Sequence, residues 1–172
     1  MRLAPRRLTV LDGMTMVAAF GAWIALSRLW VRELATQRTL LVAGWALSTL
    51  VPWTFAVLAM NLRHPRPRLW VLARQPGAVA CGTAAVMLVL EVASLPLTLS
   101  TIGGGYLSSP LLVASWYWPT SVGSAVSVSW LFVIVRGRWR VEGDLISRLG
   151  VLVGFCWIAL PPALMVFEFL LR

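Results

Sequence analysis

Residues Thr39–Leu62 read TLLVAGWALSTLVPWTFAVLAMNL, and Arg63-His64-Pro65-Arg66-Pro67-Arg68 follows at once. The first stretch carries no charge from end to end and exceeds the roughly 20 mostly apolar residues that a helix needs to cross a bilayer. Pro52 in its middle predicts a kink, because proline removes one backbone bond and crowds the preceding turn. Such kinks are tolerated in lipid where neighbouring helices cover the freed carbonyl. The switch to arginine marks where the chain leaves hydrocarbon. The prolines in the basic run hold it extended.

Outward from this stretch the composition tells the same story. Hydrophobic residues make up 59% of the 172 and charged residues 12%. Mean hydropathy is +0.83. A soluble domain carries about 45–50% apolar and about 25% charged residues. So few charges cannot keep a soluble surface of this size wet, so the excess apolar surface faces lipid. The length is then a count of spans, with no room for a sizeable soluble domain. A soluble enzyme on an anchor is excluded.

Five spans are expected, at about 8–31, 39–62, 78–101, 119–135 and 149–171, in one all-α polytopic transmembrane bundle. The first is the weakest, with an uncharged centre only from Gly13 to Ser27. Asp12 and Arg28 then reach for the two interfaces. This segment also has the form of a signal peptide, with a basic start, an apolar run and small residues Ala25 and Ser27. Cleavage there gives the four-span alternative and leaves the other spans oriented as before. Arg32 to Arg38 reads as a polar hinge. Pro76 and Gly77 open the third span and Gly103-Gly104-Gly105 closes it. Pro110 and Pro119 bracket Trp116-Tyr117-Trp118, and Trp and Tyr favour the headgroup level. Tyr106 to Trp118 therefore reads as a loop or short helix in the outer interface, with one kinked helix from Leu107 as the alternative. Pro161-Pro162 reads as a break in the fifth span. The chain stops at Arg172, so no tail is expected.

Charge sets the orientation. All fifteen basic residues are arginine. Eleven fall with the N-terminus and the loops after spans two and four; Arg28, Arg32, Arg38 and Arg172 fall on the other side. The positive-inside bias places the N-terminus in the cytoplasm and the C-terminus outside. The net charge of +9 then serves the membrane, not nucleic acid. Basic loops near the surface attract anionic lipid headgroups by about 1 kcal/mol per residue.

Glu91 is the residue singled out for chemistry, near the middle of span three. An ionised acid there costs several kcal/mol and is paired, protonated or facing water. One reading makes it a proton or cation site; the other makes it an interhelical lock. Arg28 and Glu168 both lie near the outer ends of their spans, so an Arg28–Glu168 pair is expected from depth, and Arg28 reaching Glu91 is stretched. Gly150 and Gly154 form a GxxxG. Ser121, Ala125 and Ser129 line one face of span four, and Gly123 with Ser127 lines another. Small-xxx-small spacing lets backbones approach closely. Cys81 and Cys156 form no metal or redox motif, and His64 stands alone among arginines. No HExxH, GxSxG, Walker A or dinucleotide fingerprint occurs. No catalytic set, cofactor or metal is expected.

Arg6-Arg7-Leu8-Thr9-Val10-Leu11-Asp12, running into Val17-Ala18-Ala19, resembles the start of small uncharacterised bacterial polytopic membrane proteins. The resemblance covers about the first twenty residues. It implies an uncleaved first helix with Asp12 capping near its N-terminal end, and a bacterial source. The functional expectation is a non-enzymatic multi-pass component of the inner membrane: an accessory subunit with a membrane-protein partner, or a homo-oligomer. The alternative is a small oligomeric transporter or channel with Glu91 as the ion-coupling acid.

Overall fold

The computed structural model describes residues 9–34, 38–63, 73–102, 110–137 and 145–171. Five helices account for nearly all of them: α1 (Val10–Leu34), α2 (Arg38–Leu62), α3 (Pro76–Ile102), α4 (Pro110–Val135) and α5 (Leu145–Leu171). No strand occurs among the described residues. All five are long and apolar enough to cross a membrane. At 25 to 27 residues each, and about 1.5 Å per residue, they run to roughly 38–40 Å. That exceeds a hydrocarbon core of about 30 Å, so helices of this length would cross one only tilted or with ends among the headgroups.

Local chemistry sets several ends. Thr9 caps α1: its backbone N–H and hydroxyl both donate to Asp12 Oδ2, at 2.9 and 2.8 Å. Asp12 N–H returns a bond to Thr9 Oγ1 at 3.3 Å, completing a reciprocal capping box. Pro76 and Pro110 occupy first helical positions, where a missing N–H is harmless. Gly137 ends α4 at φ +61°, its N–H donating to Ile134 O at 2.8 Å. Only glycine enters that left-handed turn without strain.

Helices α2 to α5 all pack on one another, whereas α1 packs extensively against α2 alone. The core joins Leu47, Val57 and Met60 of α2 to Cys81, Ala84 and Leu88 of α3, Val122, Val126 and Trp130 of α4, and Ile146, Val153 and Trp157 of α5. Small residues let the backbones meet. A Cβ on Gly150 would stand 2.8 Å from Gly77 Cα, and one on Gly77 would stand 2.5 Å from the Ser147 carbonyl oxygen. Neither neighbour can turn aside, because both are backbone.

Each of the five apolar stretches lies largely on a helix, and each helix is longer than the stretch read from the sequence. The region expected as a loop or short helix before Trp118 is helical from Pro110 and runs unbroken through Pro119 into α4; residues 106–109 lie outside the described residues. Aromatic preference reports depth in the bilayer and leaves backbone conformation open. Pro119 keeps a helical φ, and its ring is fully buried. The expected break at Pro161-Pro162 is likewise absent: α5 continues through both. Of the hinge expected at 32–38, residues 32–34 belong to α1 and 38 to α2, and 35–37 lie outside the described residues; α5 starts at Leu145, taking Arg148 into the helix.

Candidate functional site

The polar groups inside the bundle are its candidates for chemistry. Trp157, fully buried, donates from Nε1 to Thr54 Oγ1 at 2.9 Å, and Thr54 donates on to Leu50 O at 2.7 Å. Trp130 donates from Nε1 to Pro76 O at 2.9 Å and lies edge-on to Phe155, centroids 4.9 Å apart. Asn61 donates to Val57 O at 3.0 Å. The Trp157 bond ties α2 to α5 and the Trp130 bond ties α3 to α4, while the Thr54 and Asn61 donors stay within α2. Buried indoles and hydroxyls that find partners lock one packing arrangement.

Glu91 sits half-buried on α3, between exposed Leu90 and Val92. Its backbone carbonyl accepts from Ser94 Oγ at 3.0 Å. Beyond Leu88 on α3 and Trp157 on α5 no described residue is buried, so Glu91 lies where the core gives way. Counting from the Gly77–Gly150 contact, Glu91 is level with Leu164 of α5. Half-buried Glu168 stands one turn further on, about 6 Å along the axis.

Arg28 is exposed on α1, which has no extensive packing with α3 or α5. No ion pair joins it to Glu168 or Glu91 among the described residues. It lines instead a cleft of about 410 Å³ between α1 and α2, with Trp23, Ile24, Ser27, Val31 and Trp45. Ser27 donates to Trp23 O at 2.7 Å and meets the Ser48 hydroxyl of α2 at 3.0 Å. Trp23 meets Trp45 edge-on, centroids 5.9 Å apart, and packs on Phe20.

The glycine and serine positions sort by depth of packing. Gly150 and Gly154 are both buried in α5. A Cβ on Gly154 would stand 2.5 Å from the Trp130 ring and 2.8 Å from Ala80 Cβ. Ser121, Ala125 and Ser129 are half-buried, flanking the buried stripe Val122, Val126, Trp130. The hydroxyls of Ser121 and Ser129 bond to carbonyls of their own helix. Gly123 is buried, and Ser127 donates to its carbonyl at 2.8 Å.

Sequence reasoning missed the ion pair at the other end of α1. Asp12 is fully buried, and Arg63 Nη1 lies 3.7 Å from its Oδ1. The spacing Thr9-x-x-Asp12 carried the signal for the cap. The Asp12–Arg63 and Ser27–Ser48 contacts are each fifteen residues apart along both helices, so α1 and α2 run antiparallel in strict register. No group of three or more His, Cys, Asp or Glu side chains suited to a metal occurs among the described residues.

No family model, no curated protein and no solved structure matches this chain.

Proposed function

We propose that this chain is a multi-pass protein of a bacterial inner membrane, with its N-terminus in the cytoplasm, acting as a non-enzymatic accessory subunit for other membrane helices. The observation that carries the reading is how the interior uses its polar groups. Trp157 donates to Thr54 and Trp130 to the Pro76 carbonyl, each across a helix–helix contact, which builds a packing scaffold. Around it, much apolar surface lacks protein neighbours: the α1 span is 11% buried, against 50% for that of α2. The arginines of the loops after α2 and α4 supply contacts for anionic headgroups, in line with their charge.

The test is native mass spectrometry after gentle extraction from the host. A larger membrane protein at fixed stoichiometry is expected. A bare monomer or homo-oligomer would overturn the subunit reading. It would favour a second one, a small oligomeric transporter, supported by half-buried Glu91 where the core gives way. In liposomes that reading requires Glu91→Gln to abolish flux while the protein stays folded.

A further inference from the structure

We propose that the cleft between α1 and α2 holds one phospholipid with an anionic headgroup, its phosphate on Arg28 and an acyl chain against Trp23, Ile24 and Trp45. The volume, about 410 Å³, lies within the range of small-molecule sites, roughly 300–1,000 Å³. Its walls are apolar apart from Ser27 and Arg28, and the Ser27 hydroxyl is already spent on Trp23 O and Ser48. The polar group left to recognise a ligand is therefore the guanidinium.

Depth places that guanidinium at headgroup level. Asp12 and Arg63 mark the arginine-rich end of the α1–α2 pair. Arg28 stands sixteen residues further along α1, about 24 Å at helical rise. With a hydrocarbon core of about 30 Å, a long side chain from there snorkels to the opposite interface. No acid lies within ion-pair distance of Arg28 among the described residues, and an arginine fork matches a phosphate in two parallel bonds. A zwitterionic headgroup would bring a second cation beside it; a net anionic one leaves the pair neutral.

Trp23 supplies apolar wall and no hydrogen bond: its Nε1 is buried away from the cleft, and its ring packs on Phe20 and edge-on to Trp45. The apolar side fits the same molecule: Ile24, Val31 and Trp45 are 38%, 46% and 50% exposed at a depth where only lipid tails or other helices are found. A water-soluble anion would leave these walls unmatched.

The experiment uses the full chain in nanodiscs of phosphatidylglycerol and phosphatidylcholine in equal amounts, released into mild detergent for native mass spectrometry. One phosphatidylglycerol is expected to stay bound in preference to phosphatidylcholine. Arg28→Gln should cut its occupancy at least five-fold, Arg28→Lys should keep most of it, and Arg136→Gln at the far end should leave it unchanged. Should Arg28→Gln not fold, Ile24→Trp fills the cleft with Arg28 in place and should lose the lipid equally. Equal retention of the two lipids, unaltered occupancy in folded Arg28→Gln and Ile24→Trp, or displacement of the bound lipid by millimolar inorganic phosphate would each overturn the proposal. So would a co-purifying protein helix cross-linked to Trp45.

Discussion

Asp12 shows how one residue can hold a whole helix in place. It takes the Thr9 N–H and hydroxyl, gives its own N–H back, and faces Arg63 from the end of α2. A carboxylate at this position also meets the positive end of the α1 dipole. Replacing a capping side chain by alanine costs typically about 1 kcal/mol. The ion pair adds a modest amount, since Arg63 is 36% exposed and solvent screens it. Asp12→Ala should therefore lower unfolding free energy in detergent by about 2 kcal/mol. Asp12→Asn keeps an acceptor for the Thr9 N–H and should cost about half as much. An Asn variant as damaged as the Ala variant would move the weight from the cap to the charge. The resemblance of the opening residues implied a capping role for Asp12, and the Thr9–Asp12 box that performs it emerged with the structure. The partner was not legible, because Arg63 is distant in sequence and reads there as the first residue of a solvated loop.

At the scale of elements, each apolar stretch of the sequence lies largely on a helix, while proline misled about where helices stop. In water a proline inside a helix costs about 3 kcal/mol and usually ends it. Within a bundle the freed carbonyl can lie against a neighbour instead. Pro161 leaves Trp157 O without its usual donor, and that oxygen faces α4 at Gly123. A Cβ on Gly123 would stand 2.6 Å from Trp157 O and 3.2 Å from Pro161 Cγ. Gly123 and Pro161 thus form one fitted contact, which single-helix reasoning cannot see. Gly123→Ala is expected to destabilise the protein by about 1–3 kcal/mol, as overpacking does. Pro161→Ala removes the ring and returns an N–H to Trp157 O. The two changes together should depart from additivity by at least about 0.5 kcal/mol in a double-mutant cycle. Strict additivity would show that the two residues do not share the contact.

Over the whole molecule, charge and packing are both lopsided. Among the described residues of α3 and α5, every buried side chain lies in the half nearer the arginine-rich loops, ending at Leu88 and Trp157. The far halves of α3 and α5 are thinly packed and carry Glu91 and Glu168, whereas α2 stays buried there at Ala43 and Leu47, beside the Arg28 cleft. Part of this asymmetry was legible, since Glu91 and Pro96 of α3 and Pro161, Pro162 and Glu168 of α5 all fall in the far halves; the packing itself was not, because it depends on which helices meet. The charge bias was plain in the sequence, and it makes an orientation prediction that geometry alone cannot. Short arginine-rich loops stay on the cytoplasmic side. With Cys81 and Cys156 replaced by alanine, His64→Cys should react with a membrane-impermeant maleimide in inverted vesicles and not in intact cells. Gly104→Cys should show the opposite pattern, because α3 separates the two positions. Exchange of the two patterns would invert the molecule and leave the five spans standing. Labelling of both positions from one side is the more damaging result: α3 would then not cross, and a helix that touches α2, α4 and α5 cannot leave the membrane without taking the bundle apart.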